Sequence, residues 1–293
     1  MNKGPMSISG TKFRAALVQM RCGREVEPNL DAAETAIRAA AEGGADYVLT
    51  PENTSLMELS TKALFAKTLP EDGNPGLAWV TNLARELKLW LHIGSMAIRL
   101  SDAKVANRSF LISPEGAIAA RYDKIHMFDV DLPGGESYRE SKNYQPGDKA
   151  VLADLPWGRL GLTTCYDLRF PALYRALAKG GADFITVPSA FTKQTGEAHW
   201  HVLLRARAIE TGCFIFAAAQ GGEHEMGRST YGHSLIISPW GEILAEAGSD
   251  PDVIFADIDP AQVADARARI PSLQHDRAFT LSSPQAARIK EAS

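Results

Sequence analysis

Cysteine is scarce: Cys22, Cys165 and Cys213 are the only three in 293 residues. They are scattered, and no Cys-x-x-Cys pair or Cys/His cluster has zinc spacing, so neither a disulfide framework nor a zinc module is indicated. Three free thiols in a reducing, cytoplasmic setting are expected instead. Long apolar runs are also missing. Residues 214–219 form one of the longest, far short of the roughly 20 residues a membrane helix needs, and residues 1–12 are too polar for a signal segment. Basic blocks are absent as well: 31 Lys+Arg stand against 35 Asp+Glu, a formal net charge of −4. Without a basic patch the electrostatic footprint of a nucleic-acid partner is lacking. A Gly-x-Ser-x-Gly elbow, a P-loop and a Gly-x-Gly-x-x-Gly fingerprint are likewise missing, which argues against a serine hydrolase or a nucleotide enzyme.

What is present is an ordinary globular composition, 45% hydrophobic and 23% charged, with β-rich runs alternating with Ala-rich stretches of helical period. Residues 13–20 read as a strand, 29–42 as a helix and 47–50 as a buried strand. In that helix Ala32, Ala33, Ala36, Ile37 and Ala40 share a face, and Gly43-Gly44 stops it. The alternation indicates an α/β fold. Three passages recur. Arg14–Met20 matches 159–165, Gly44–Glu52 matches 181–189, and Ser109–Gly116 matches 234–241. Two copies are too few for a solenoid, so the reading is one domain over 13–280 made of two similar halves, each a sheet with helices, flanked by an extension (1–12) and a tail (281–293).

The comparison between copies singles out three reactive side chains. Glu52 has Ser189 as its counterpart, Cys165 has Met20 and Lys124 has Ser249, so the repeat itself does not require an acid, a thiol or an ammonium there. Cys165 ends an apolar strand and precedes a turn and the helical stretch 172–179, the place where open α/β folds put ligand chemistry. Glu52 follows a strand and Pro51. It should emerge at the sheet rim, where partial burial would raise its pKa toward that of a general base; the alternative is a carboxylate at a helix start. Lys124 taken alone reads as a surface charge.

Together these segments resemble the nitrilase superfamily of carbon–nitrogen hydrolases. The resemblance rests on Pro51-Glu52 after a strand, on the run Tyr122 to Asp129, and on Cys165-Tyr166-Asp167-Leu168-Arg169-Phe170-Pro171, in family order across nearly the whole chain. Further similarity in residues 198–210 and 231–234 points to the branch holding deaminated-glutathione amidase and ω-amidase. The resemblance implies an α-β-β-α sandwich, a triad of Glu52, Lys124 and Cys165, and neither metal nor cofactor. It also implies an assisting glutamate in the loop after the lysine, for which Glu140 fits the family pattern better than Glu136. The implied substrate is a small amide carrying a carboxylate. The Tyr166 backbone N–H would stabilise an oxyanion, while Ala190, Phe191 and Thr192 would border the pocket, Phe191 serving alternatively as core. Arg169 would pair with the substrate carboxylate or else brace Asp167. An N-carbamoyl amidohydrolase, a true nitrilase and a catalytically silent scaffold are the rivals.

His199-x-His201 and Glu223-His224-Glu225 lack a recognised ligand spacing and a completing partner, so no metal site is expected there. His199-Trp200 should pack or cap beside the following helix. A homo-oligomer is expected from the resemblance, with residues 270–277 similar to segments that lie across a neighbouring subunit.

Overall fold

A computed structural model describes residues 11–133 and 135–282; the expectations for the first ten residues and for the tail beyond 282 lie outside the described residues. The first half runs β1 (Phe13–Gln19), α1 (Val26–Glu42), β2 (Tyr47–Leu49), α2 (Thr61–Lys67), α3 (Pro75–Leu87), β3 (Trp90–Arg99), β4 (Val105–Ile112) and β5 (Ile118–Asp123). A hairpin follows, β6 (Asp129–Asp131) with β7 (Ser137–Arg139). The second half runs β8 (Val151–Leu155), β9 (Gly158–Leu162), α4 (Pro171–Lys179), β10 (Phe184–Thr186), α5 (Lys193–Thr211) and β11 (Phe214–Ala217). Then come the hairpin β12 (Gly221–Glu223) and β13 (Ser229–Tyr231), and β14 (Leu235–Ile237), β15 (Ile243–Glu246), β16 (Asp252–Ile258) and α6 (Ala261–Arg269).

The strand order is β16-β1-β2-β3-β4-β5 in one sheet and β15-β14-β11-β10-β9-β8 in the other. These are the same topology written in opposite directions: three parallel strands, an antiparallel pair at one edge and an antiparallel strand at the other. The recurring passages fall on β1 and β9, on β2 and β10, and on β4 and β14. The added edge strand of the first sheet, β16, comes from the far end of the chain.

Side chains alternate across each strand, which explains the layering. Along β1, Ala15 and Leu17 face the second sheet and pack with Leu160, Phe184 and Phe216, whereas Ala16 and Val18 face Ile37, Val80 and Leu83 of α1 and α3. The outer face of the second sheet is covered by α4 and α5 through Leu173, Leu177, Trp200 and Leu204. Helix, sheet, sheet and helix therefore form an α-β-β-α sandwich of two similar halves.

Two helices start earlier than the sequence suggests. The first begins at Val26, because Pro28 sits in the first turn, where a missing N–H costs nothing. The helix α5 begins at Lys193, capped by the Thr192 hydroxyl accepting from the Thr195 N–H, so His199 and Trp200 lie inside it rather than before it. Among the described residues no helix is long and apolar enough to cross a membrane.

Candidate active site

The C-terminal ends of the parallel strands in both sheets meet at one place. Beyond β2, Pro51 directs Glu52 inward, and Glu52 is buried in a turn. It does not begin a helix, so the capping alternative is set aside. Lys124 follows β5, its N–H donating to the Asn107 carbonyl (3.0 Å), and its whole side chain is buried. Beyond β9, Cys165 opens a short 3₁₀ turn, Cys165–Arg169, in the left-handed region (φ 51°). A non-glycine residue holds such a backbone only when its surroundings enforce it. Here the enforcement is visible. The Cys165 N–H donates to the Pro188 carbonyl (2.9 Å). The buried Asp167 accepts from the Thr164 N–H (2.8 Å), the Tyr122 hydroxyl (2.6 Å) and the His126 N–H (3.0 Å).

The structure thus brings together the three side chains singled out from the sequence and Glu140, the loop glutamate preferred there over Glu136. The Lys124 Nζ donates to Glu52 Oε1 (2.9 Å) and to both Glu140 oxygens (3.0 and 2.8 Å). The Glu140 carboxylate also accepts from the Phe128 N–H (2.7 Å), while Glu136 is exposed on the loop. The Ala190 N–H of the second half donates to Glu52 Oε2 (2.9 Å). Asn107 was not found by sequence reasoning; its Nδ2 donates to Glu52 Oε1 (2.9 Å) and Glu140 Oε1 (3.2 Å), tying the two carboxylates together.

The electrostatics differ from the expectation for Glu52. Burial pushes its carboxyl up, but the charge and hydrogen bond of Lys124, helped by Cys165 and Arg228, hold it below the ordinary carboxylate value. Burial alone would raise it; the ammonium 2.9 Å away reverses the sign. For Lys124 burial works against the charge, and Glu140 and then Glu52 more than offset it, so its pKa is raised. Burial and then the Glu52 charge push the Cys165 thiol well up, with Lys124 pulling it only part of the way back. The resting arrangement is a neutral thiol beside an ionised carboxylate, with both shifts keeping the proton on sulfur. Two carboxylates against one ammonium leave a net charge of −1, and passing the thiol proton to Glu52 keeps it at −1. Cys22 and Cys213 are buried and free, and burial pushes the Cys22 thiol up to about 12.

These groups open on a cavity of about 280 Å³, walled by Met57, Phe128, Tyr138, Tyr144, Tyr166, Ala190, Phe191, Thr192 and Arg228 among others. Tyr166, Ala190, Phe191 and Thr192 border it, and Phe191 packs in the core of the second half as well. Arg169 does not line it: its guanidinium lies over the Phe191 and Tyr166 rings (5.3 and 5.9 Å) and meets His199 Nδ1 (3.2 Å). Nor does it brace Asp167, whose partners are Tyr122, His126 and Thr164. The cation in the wall is Arg228, which nothing in the sequence pattern marked. It donates to the Ala190 carbonyl (2.7 Å), sits over the Tyr138 ring (5.4 Å), and keeps a buried Nε without a hydrogen-bond partner. Among the described residues no carboxylate pairs with it. The other wall arginine, Arg139, is already held by Asp131 (2.8 and 2.9 Å).

The metal sets considered from sequence are not formed. His224 is bonded to the Cys22 carbonyl (2.9 Å) and the Thr230 hydroxyl (2.6 Å), and His201 points away from His199 toward Glu246. Residues 270–277 turn back on their own chain, where Asp276 pairs with Arg175 and Lys179 of α4.

Comparison with known proteins bears on the family and the fold. The family description "Carbon-nitrogen hydrolase" matches residues 14–268. A deaminated glutathione amidase of Yersinia enterocolitica is 42% identical over 95% of this chain and 98% of its own. The crystal structure of the Caenorhabditis elegans NitFhit protein superposes with a TM-score of 0.85 at 35% identity, covering 92% of this chain and 66% of that longer one. Nit3 of Saccharomyces cerevisiae, a nitrilase superfamily member, superposes with a TM-score of 0.78 at 30% identity over 89% of this chain and 94% of its own. The chain belongs to the carbon–nitrogen hydrolase family, within the nitrilase superfamily.

Proposed function

We propose that this carbon–nitrogen hydrolase is a cysteine-dependent amidase of the deaminated-glutathione type, acting through a thioester on Cys165. The observation that carries the reading is the Lys124 ammonium held between Glu52 and Glu140 beside the Cys165 thiol, in a cavity whose wall offers one uncompensated cation. Glu52 takes the thiol proton as the sulfur attacks the substrate carbonyl carbon. The negative charge moves from sulfur to the carbonyl oxygen, where Lys124 and the Tyr166 backbone N–H stabilise it. The C–N bond then breaks, and Glu52 returns the proton to the departing nitrogen, leaving an acyl thioester. Water, deprotonated by Glu52, attacks the thioester; the acid leaves and the thiol is restored. Glu140 and Asn107 keep Lys124 aimed throughout, and no cofactor enters these steps.

Arg228 receives the substrate carboxylate, a role first considered for Arg169. Its buried, unpaired Nε and the aromatic rings of Tyr138 and Tyr166 suit a flat, anionic acyl group. Phe191 and Thr192 limit the width of the same pocket. The name of the Yersinia relative favours deaminated glutathione, an oxo-acid amide attached to a peptide, over the smaller 2-oxoglutaramate.

The test is amine release from four compounds: deaminated glutathione, 2-oxoglutaramate, an N-carbamoyl amino acid and a nitrile. The highest kcat/KM is expected on deaminated glutathione. A preference for 2-oxoglutaramate would make the chain an ω-amidase, and silence on all four would leave a scaffold. The working molecule is a cytoplasmic homo-oligomer, a dimer or higher assembly. The exposed Ile209, Trp240 and Ile270 support the assembly, since they line one shared depression and leave large apolar surface in water. A monomer by light scattering would overturn it.

A further inference from the structure

Three ligand-bearing side chains outside the amidase cavity converge from separate parts of the second half. They are His201 on α5, His233 in the connection between β13 and β14, and Glu246 at the end of β15. We propose that they form a binding site for a divalent transition-metal ion, with Zn²⁺ as the ion of choice.

The geometry is that of a site needing little rearrangement. Both imidazoles point at the same carboxylate oxygen: His201 Nε2 and His233 Nδ1 each lie 2.9 Å from Glu246 Oε1. All three ligand atoms lie within 4.8 Å of one another. A tetrahedral zinc with bonds of about 2.0–2.1 Å holds its ligand atoms roughly 3.3 Å apart. Side-chain rotation alone can therefore close the trio on an ion, with the two protons that now face the carboxylate moving to the outer ring nitrogens. Two imidazoles and one carboxylate favour Zn²⁺, Ni²⁺ or Cu²⁺ over Mg²⁺ or Ca²⁺, which prefer oxygen alone.

The ligands are also held in place from behind. The Tyr231 ring stacks on His233 (4.4 Å) and meets His201 edge-on (5.9 Å). His233 has a left-handed backbone (φ 54°), and its carbonyl accepts from the indole N–H of the buried Trp200 (2.7 Å), the residue before His201. The two histidines are thus fixed to one another through the backbone as well as through Glu246. All three side chains remain about a third exposed, which leaves an entry path and room for water in the open position. Sequence spacing hides the set, because Glu246 lies 45 residues beyond His201.

An ion here would clamp α5 to the β14–β15 edge of the second sheet. The experiment is Zn²⁺ titration by calorimetry of the full chain, of Cys165→Ala to remove the competing thiol, and of His201→Ala and His233→Ala, each checked for folding by circular dichroism. One equivalent is expected in the parent and in Cys165→Ala, accompanied by a rise in Tm. Removal of a ligand should cost at least the ~10–100-fold that loss of an outer-shell partner costs, and should abolish the Tm rise. His201→Gln, which keeps a hydrogen bond to Glu246, should fold and still lose zinc. Co²⁺ loaded into Cys165→Ala should give a spectrum of nitrogen and oxygen ligation. No Zn²⁺ uptake by the parent, uptake unchanged in the histidine variants, or a thiolate-to-cobalt charge-transfer band would each overturn the site.

Discussion

The two halves share strand order and yet use equivalent positions differently. After Pro51 the first half presents Glu52, bound to Lys124, Asn107 and the Ala190 amide; after Pro188 the second presents Ser189, whose hydroxyl turns back to the Val187 carbonyl (3.0 Å). After β9 the second half presents Cys165 in a left-handed turn, whereas after β1 Met20 forms a plain parallel bridge to Gln220. One half supplies acid and ammonium, the other the thiol; of the counterparts, Met20 joins the halves through Gln220, while Ser189 bonds within its own half. The join is tight. At Gly94 a side chain would come within 2.1 Å of the Thr50 carbonyl and 2.5 Å of Pro188. Reactive side chains thus stand in a symmetric frame at points where the frame needs only a strand end.

That division can be broken from either side. The largest effect is expected from Cys165→Ala, which should abolish amine release altogether, since no counterpart thiol exists in the first half; measurable turnover would count against the assignment. Lys124→Met should lower kcat/KM at least ~100-fold, the ~3 kcal/mol typical of an oxyanion donor, and cost about 3–5 kcal/mol of stability by stranding buried carboxylates. Its pH signature is sharper than either number. In the parent, Glu52 lies below its unfolded value of about 4.3, so its stabilisation is present above that pH and is lost as pH falls through the folded pKa. Without Lys124, burial raises Glu52 above its unfolded value, and stability is lost as pH rises instead. Chemical denaturation across pH should show the slope reversing sign.

A smaller effect falls on Arg228→Met. It should raise KM roughly 10–100-fold for a carboxylate-bearing amide, the range for a charged hydrogen bond, with kcat nearly unchanged and a neutral amide analogue unaffected. An equal loss on both substrates would remove Arg228 from carboxylate recognition. Smallest of all, Ser189→Ala should cost about 1 kcal/mol of stability and leave kcat/KM as it was. A large loss of activity there would show that the second half's proline turn carries chemistry after all.

The fold was legible because its repeats fall on the inner strands, where burial on both faces restricts the residues each position accepts. Glu52, Lys124 and Cys165 were legible through the resemblance of their flanking segments to a known family, with the break each makes in the repeat as the lesser signal. Asn107 was not, since a single amide inside an apolar strand gives no periodic signal and acts through a carboxylate 55 residues away. Arg228 was hidden for a related reason: it reaches the cavity from a short hairpin, whose placement depends on packing against Ala190 and Tyr138. The sign of the Glu52 shift could not be read because it depends on a distance, 2.9 Å to Lys124, that sequence does not encode. Thr192 both lines the cavity and caps α5, a double role that residue spacing does not reveal.

The last strand of the chain, β16, lies along the first, with Arg14 and Asp257 meeting across 243 residues. Such a pairing must wait for nearly the whole chain to emerge during synthesis. A nascent chain halted before β16 would leave β1 with a bare, aggregation-prone edge, so completion of the first sheet and escape from edge-to-edge aggregation should arrive together, late in translation.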